Sequence, residues 1–110
     1  MAGIGKAKIK VPRKIKTGDV VLVKAMVRHP METGNRKNKK TGQKIPAHYV
    51  EDVTATFNGQ QVFSAVWGAA ISRDPFVSFY LKVDAPGDLT MTWKDNKGGV
   101  YTKSVKVKVK

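Results

Sequence analysis

The sequence contains no cysteine. This absence excludes a disulfide framework, a thiolate metal cluster, a redox CxxC pair and a covalent thiol nucleophile. No apolar run reaches the roughly 18 to 20 residues that cross a membrane, and the first residues do not resemble a secretory signal, so we expect any export to depend on another protein's signal. Acidic residues are scarce: 8 Asp and Glu face 21 Lys and Arg, which gives the 110 residues a net charge of +13. We expect one basic domain, residues 1–110.

Signatures of catalysis are missing as well. The two histidines, His29 and His48, are far apart in the sequence and form no local metal-binding pair, and no serine or carboxylate is spaced with them as in a hydrolase. The adjacent acids Glu51 and Asp52 would point to opposite faces of a strand, and no glycine-rich phosphate loop is present. We therefore predict that the protein is not an enzyme and has no catalytic, cofactor or metal site.

One short motif keeps a metal-binding alternative open. In His29-Pro30-Met31 an imidazole and a thioether are two residues apart, and such soft ligands suit copper. A small copper-binding sandwich is therefore an alternative function. The other interpretation is a structural role for His29 at the end of a strand.

Alternating apolar and polar residues fill most of the chain. The alternation predicts strands over 6–11, 19–29, 49–57, 61–67, 75–83, 89–93 and 100–108. Asn58-Gly59 and the stretch 95–99 have the composition of hairpin turns, and 84–88 is a further turn. Seven short strands without a helical period predict an all-β fold, an immunoglobulin-like antiparallel β-sandwich, with a small barrel as the alternative.

Several apolar side chains fall on the outward positions of these strands. They are expected to be exposed in an isolated sandwich, which is unusual where a polar residue would serve equally well. We predict that part of this set is buried against a protein partner in an interface of about 1,200 Å² or more. The set comprises Val20, Leu22, Met26, Phe76 and Tyr80.

The positive charge is concentrated in three stretches, 6–16, 36–44 and 103–110. On the terminal strands the lysines would protect sheet edges or attract anions, whereas 35–44 has no apolar period and is predicted to be a solvated loop. Charge of this size also makes a nucleic-acid-binding module an alternative. Against it, most aromatic residues occupy core positions and leave only Phe76 and Tyr80 to stack on bases; the core aromatics are Phe57, Phe63, Phe79 and Trp93.

The most specific segment of the chain is His29-Pro30-Met31-Glu32-Thr33-Gly34-Asn35-Arg36, because nothing in general protein structure requires this order of residues. Together with other segments that are collinear over nearly the whole chain, it resembles the SoxZ family of the Sox thiosulfate oxidation system. The others are Ile45-Pro46, Phe57-Asn58-Gly59, Val62-Phe63-Ser64-Ala65, Ala70-Ile71-Ser72-Arg73-Asp74-Pro75-Phe76 and Trp93-Lys94-Asp95-Asn96.

The resemblance implies a periplasmic immunoglobulin-like sandwich that forms a heterodimer with a SoxY-like carrier subunit. In that family the partner bears the sulfur intermediate on the cysteine of a mobile arm. A chain without cysteine would then contribute scaffolding and recognition, would be exported with its signal-bearing partner, and would contact other Sox enzymes transiently. The resemblance implies neither a nucleic-acid nor a membrane partner.

Two further groups of residues become candidates on this interpretation. The segment 29–36 is expected to leave the strand as a defined loop that either recognises a partner or braces the end of the sandwich. Its interface candidates are His29, Pro30, Met31, Glu32 and Arg36. The basic loop is the candidate for electrostatic steering of anionic partners, through Arg36, Lys37, Lys39, Lys40 and Lys44.

Overall fold

The computed structural model describes residues 5–68, 71 and 74–109, and these contain seven strands and no helix. Ser72 and Arg73, in one of the family-like segments, and Lys110 lie outside the described residues. The strands are β1 Ala7–Lys10, β2 Asp19–Val27, β3 Val50–Phe57, β4 Gln60–Val66, β5 Phe76–Val83, β6 Gly87–Asp95 and β7 Val100–Val107.

All strand pairs are antiparallel and form two sheets. One sheet has the order β1-β2-β5 and the other β4-β3-β6-β7. Residues from both sheets contribute to a single apolar core, so the sheets form a sandwich. The predicted all-β, immunoglobulin-like architecture is confirmed. In the part of the chain described here, no helix is long and apolar enough to span a membrane.

The core consists of the inward positions of the strands. On β2, Val23 and Val27 are completely buried, and on β6 the same holds for Leu89, Met91 and Trp93. Burying a side chain of this size stabilises the fold by about 1.5 to 3 kcal/mol. The period-2 pattern therefore fixes which face of each strand turns inward.

A bulge in β3 allows both an even-numbered and an odd-numbered residue of this strand to be buried. The pairing of β3 with β6 shifts register between Val50 and Asp52, so Val50 and Val53 are both fully buried. A strict alternation would have put Val50 on the outer face. The bulge lies just after His48, a residue of the site described below.

The turn between β3 and β4 has the predicted geometry. Asn58 (φ 53°) and Gly59 (φ 82°) both adopt positive φ, as a type I′ hairpin requires. The Asn58 amide also donates to Pro86 O (3.3 Å), and its Oδ1 accepts the N–H of Asp88 (3.1 Å). The prediction that 84–88 is entirely turn is therefore corrected, because β6 begins at Gly87.

Candidate functional site

The outer side of the three-stranded sheet carries the predicted apolar residues together. We call the outward positions of β2 and β5 the β2–β5 face. In the strand register Leu22 lies opposite Tyr80 and Met26 lies opposite Phe76. Tyr80 is 73% exposed, Val20 61% and Phe76 60%. The β2–β5 face thus carries two apolar cross-strand pairs, with the Lys24–Ser78 pair between them, and exposes more apolar surface than single scattered residues would.

Basic side chains border this surface. Lys8 and Lys10 of β1 lie opposite Met26 and Lys24 of β2, and therefore project to the same side of the sheet. Among the outward positions of the three described strands there is no Asp or Glu. A groove of about 460 Å³ beside Met26 and Phe76 is bordered by lysines, namely Lys8, Lys10, Lys24 and Lys103. The β2–β5 face therefore combines apolar side chains with a border of lysines. This combination suits an apolar partner surface that has acidic residues at its rim.

The outer side of the other sheet is different in composition. Its central strands β3 and β6 pair Thr54 with Thr92, and Thr90 Oγ1 lies 2.8 Å from Ser104 Oγ on β7. The apolar residues exposed on this sheet's β4 edge, Val62 and Val66, face no apolar cross-strand neighbour. This side is mainly hydroxyl-bearing at its centre, with exposed valines only on its edge strands β4 and β7, so it gains less from being covered than the β2–β5 face does.

The segment 29–36 is anchored against the start of β3. His29 and Pro30 are buried within the chain and offer no surface to a partner. Met31 is half-buried, and its Sδ accepts the N–H of Val50 (3.5 Å). Glu32 exchanges backbone hydrogen bonds with His48 (2.9 and 3.0 Å). Since the His29 ring and the Met31 sulfur engage different partners, the structure gives no support to copper binding by this pair.

The exposed end of the segment is an ion pair. Arg36 donates to both carboxylate oxygens of Glu32, through Nε (3.1 Å) and Nη2 (2.5 Å). The Glu32 hydrogen bond and charge raise the pKa of Arg36 above its usual value. Of the five loop candidates, Glu32 and Arg36 therefore present a charged, bidentate pair at the surface, with Met31 partly accessible beside them.

The basic loop that follows is closed by backbone hydrogen bonds. Ile45 donates to Arg36 O (2.7 Å), Asn38 donates to Gln43 O (2.8 Å), and a β-bridge joins Lys37 to Lys44. All four lysines predicted to steer partners are exposed: Lys37, Lys39, Lys40 and Lys44. The loop therefore projects a compact group of positive charges, whereas the fifth predicted cation, Arg36, is already paired with Glu32.

Below the segment lies a buried polar cluster that the sequence did not reveal. The Oδ2 atom of Asp95 is contacted by His29 Nε2 (2.9 Å), His48 Nε2 (2.9 Å) and the hydroxyl of Tyr101 (2.7 Å). The two imidazole rings meet edge to face with centroids 4.4 Å apart. We call these four residues the Asp95 cluster.

The second carboxylate oxygen is held by the backbone of the β6–β7 turn. Oδ1 accepts the N–H of Lys97 (3.0 Å) and of Gly99 (2.6 Å). Burial by itself would raise the pKa of Asp95, but hydrogen bonds from His29, Tyr101, Gly99 and the second imidazole outweigh it and lower the pKa far below the usual range. Burial, followed by the hydrogen bond to Asp95 and the carboxylate charge, raises the pKa of Tyr101 to about 12.

Sequence spacing could not have grouped these residues. Asp95 is separated by 66 residues from His29 and by 47 from His48. In the sequence it appeared as the first residue of a turn and within the family-like segment 93–96, with no role assigned to its carboxylate. His29 and His48 meet because the Glu32–His48 bridge folds the segment back onto the start of β3. The one local signal was the cluster of turn residues after Asp95, which marked the turn without indicating what the carboxylate would contact.

Comparisons with known proteins identify one family and one fold. The model of the family described as sulphur oxidation protein SoxZ matches residues 9–106. No curated protein matches the sequence. The structure is similar to a variant of superoxide reductase (neelaredoxin) from Ignicoccus hospitalis, with a TM-score of 0.73 and 20% identity over 99% of this chain and 83% of that one.

Two other solved structures share the fold. The sulfur carrier protein SoxY from Chlorobium limicola f thiosulfatophilum has a TM-score of 0.63 and 18% identity over 94% of this chain and 74% of its own. A superoxide reductase (neelaredoxin) variant from Archaeoglobus fulgidus has a TM-score of 0.64 and 21% identity over 93% and 86% of the two chains. Identities this low describe a common sandwich, and the family assignment rests on the family model.

Proposed function

The chain belongs to the SoxZ family of sulphur oxidation proteins, and we propose that within the Sox system it is the non-catalytic subunit of a sulfur-carrier heterodimer. Its partner in this proposal is a SoxY-like subunit whose cysteine carries the sulfur intermediate. The single observation that supports it most is the β2–β5 face, an exposed apolar surface bordered by lysines on a chain that otherwise has a well-buried core.

The division of labour follows from side-chain chemistry. A covalent sulfur intermediate of the carrier type requires a thiol, and this chain has no cysteine. The thiol must therefore belong to another subunit, and the contribution of this chain is to bind that subunit and to present recognition surfaces to the enzymes that act on it. The Glu32–Arg36 pair and the basic loop are the proposed recognition surfaces.

The proposed docking surface is the β2–β5 face. Leu22 and Tyr80 are cross-strand neighbours on it, and tyrosine is common among the residues that dominate interface energy. Phe76 and Met26 extend the apolar area toward the lysine-bordered groove. Covering this area removes apolar surface from water, and the surrounding lysines favour a partner with acidic residues at the rim.

The complex is proposed to act in the periplasm, where it would arrive together with a partner that bears the export signal. A sandwich without cysteine can fold before export because no disulfide has to form. Co-expression with a SoxY-like partner, followed by cell fractionation, checks this: the chain should appear in the periplasmic fraction only when the signal-bearing partner is present. Retention in the cytoplasm alongside an exported partner would contradict it.

Point substitutions on the two outer sheet faces test the docking surface. Leu22→Lys and Tyr80→Lys should each weaken binding of a SoxY-like partner by at least about 30-fold, equivalent to about 2 kcal/mol. Thr92→Lys, on the hydroxyl-rich outer side of the second sheet, is the matched control and should bind like the wild type. Isothermal titration calorimetry measures the affinities, and thermal melts of the isolated variants check their folding.

Two results of these binding measurements would contradict different parts of the proposal. If both face variants bind as the wild type does, the β2–β5 face is not the docking surface. If the wild-type chain binds no SoxY-like partner at all, the proposed heterodimer is wrong.

A further inference from the structure

Both ring nitrogens of His29 face acceptors. Nδ1 lies 2.6 Å from the carbonyl oxygen of Pro30, and Nε2 lies 2.9 Å from Asp95 Oδ2. A neutral imidazole has one N–H and one lone pair, so it can satisfy only one of these two acceptors. The second contact becomes favourable when the ring carries an additional proton or when a metal ion lies between Nε2 and the carboxylate.

His48 directs a second imidazole at the same oxygen. Its Nε2 is 2.9 Å from Asp95 Oδ2, and the three candidate ligand atoms all lie within 4.8 Å of one another. We propose that His29, His48 and Asp95 form a binding site for one divalent cation of the zinc type. This inference rests on the Asp95 cluster alone and is independent of the proposed docking function.

The donor set fits such an ion. Zinc accepts imidazole nitrogen and carboxylate oxygen at about 2.0 to 2.2 Å, and tetrahedral geometry then places ligand atoms about 3.3 Å apart. The two N–O contacts of 2.9 Å would open by a few tenths of an ångström. The two imidazole nitrogens, which lie within 4.8 Å of each other, would move closer together by up to about 1.5 Å to reach the tetrahedral separation. Calcium and magnesium prefer all-oxygen sites and suit this set poorly.

Hydrogen bonds with neighbouring groups orient the proposed ligand atoms. With an ion bound, the Pro30 carbonyl would accept the proton of His29 Nδ1, and Nε2 would coordinate the metal in place of its contact with Asp95. The amides of Lys97 and Gly99 bind Oδ1 of Asp95, so that Oδ2 is the oxygen directed at the histidines. Tyr101 donates to that same Oδ2. Such outer partners are a regular feature of histidine and carboxylate metal sites and do not occur in scattered surface acids.

Access to the site is from the side of His48. The side chains of His29 and Asp95 are 0% and 1% exposed, whereas that of His48 is 18% exposed. An ion can therefore enter past His48, and a water molecule can complete four-coordination on that side. Three protein ligands and one open position is the arrangement that zinc adopts when it keeps an exchangeable ligand.

Cobalt(II) serves as the spectroscopic probe for this site. Titration of the tag-free full-length chain with Co²⁺ should show one ion bound per chain, with the intense visible absorption of four-coordinate cobalt, and one equivalent of Zn²⁺ should displace it. His48→Ala should weaken Co²⁺ binding by at least about 100-fold. Asp88→Asn removes an exposed carboxylate at the opposite end of β6 from Asp95 and should leave the affinity unchanged.

A second measurement covers the case in which His48→Ala fails to fold. Imidazole ¹⁵N–¹H correlation spectra of the wild-type chain are recorded first without metal. With one equivalent of Zn²⁺ they should show His29 with a proton on Nδ1 only. Because both histidines of the chain belong to the cluster, Co²⁺ binding that survives in folded His48→Ala would overturn the proposal, as would His29 spectra that Zn²⁺ does not change.

Discussion

At the scale of single residues, Asp95 connects parts of the chain that are far apart in sequence. Its carboxylate contacts the segment that starts at His29, the entry to β3 at His48 and the first residues of β7 at Tyr101. Loss of one partner from such a buried network leaves the others desolvated and unpaired, which costs more than the net value of the interaction.

Replacing this carboxylate should produce a stability loss that depends on pH. Asp95→Asn is expected to lower the free energy of unfolding by about 3 kcal/mol at pH 7. The pKa of Asp95 is lowered in the folded protein, so its contribution is fully present above the unfolded value of about 3.9 and is lost as the pH falls below it. Urea unfolding between pH 7 and pH 2 should therefore show the two proteins converging in acid. A gap of constant size would contradict this.

Gly99 makes the close approach to the cluster possible. A Cβ at this position would lie 2.6 Å from Asp95 Oδ2 and 2.5 Å from the Tyr101 hydroxyl oxygen. Gly99→Ala should therefore destabilise the protein by about 1 to 3 kcal/mol. Gly68→Ala, where an added Cβ meets nothing within 4 Å, is the control and should stay within about 0.5 kcal/mol of the wild type. Equal melting temperatures for the two variants would show that the cluster tolerates the extra atom.

At the scale of elements, the sequence predicted the strands well because one face of each is buried. The alternation of Val21, Val23 and Val27 or of Leu89, Met91 and Trp93 leaves little choice of orientation. It could not predict the bulge between Val50 and Asp52, because a bulge depends on the pairing with β6, a non-local contact. The start of β6 at Gly87 was missed for the same reason, since Asn58 from a distant turn supports it.

The candidate site was predictable to a different degree. The alternation of residues along each strand was enough to identify the apolar outward residues. The structure places them on one face because β2 and β5 are neighbours. The Asp95 cluster was not visible, because its hydrogen bonds cross the whole chain. His29 and Pro30 were chosen as surface candidates from the specificity of their motif, whereas their role inside the fold is to line the cluster.

One part of the segment 29–36 packs against the sandwich, and another part is exposed and is the proposed recognition surface. Two substitutions distinguish these roles. Arg36→Ala removes an exposed guanidinium and should leave the melting temperature nearly unchanged while weakening partner binding or turnover. Met31→Ala removes a half-buried side chain packed on the core and should cost about 1 to 3 kcal/mol of stability. Thermal melts and binding assays on the same preparations distinguish them, with exposed Lys97→Ala as control. If Arg36→Ala alters neither property, the segment acts only as a brace.

At the scale of the whole molecule, the net charge of +13 gives the protein a long-range field. At physiological ionic strength the Debye length is about 8 Å, so exposed lysines influence the rate of encounter with anionic partners more than the lifetime of the complex. We expect the basic loop to be the leading source of steering because its four lysines are exposed and have no sheet edge to protect.

Substitution of the four exposed lysines of the basic loop by glutamine should therefore slow association with the enzymes that process the loaded carrier. These lysines are Lys37, Lys39, Lys40 and Lys44. The effect should be larger at about 20 mM salt than at about 300 mM, as screening requires. A variant with four other exposed lysines neutralised, namely Lys94, Lys97, Lys106 and Lys108, controls for net charge. Stopped-flow rates that are equal for the wild type and the loop variant at low salt would leave the loop charge as a solubility feature.

The two outer sheet faces divide the molecule into a side suited to water and a side suited to a partner. The hydroxyls of Thr54, Thr92 and Ser104 cover one side, and the apolar β2–β5 face with its lysine border covers the other. This asymmetry is the physical basis of the proposed heterodimer, since covering the apolar side removes its exposed aromatic and aliphatic surface from water.

Site-specific photo-crosslinking tests that claim most directly. A benzophenone amino acid is introduced at Tyr80 on the β2–β5 face or at Thr92 on the opposite side, the chain is co-expressed with a SoxY-like carrier subunit, and the irradiated complexes are analysed by mass spectrometry. We expect a crosslink from position 80 to the cysteine-bearing carrier subunit and none from position 92. Crosslinks to the carrier from position 92 alone, or from neither position in a complex that forms, would contradict it.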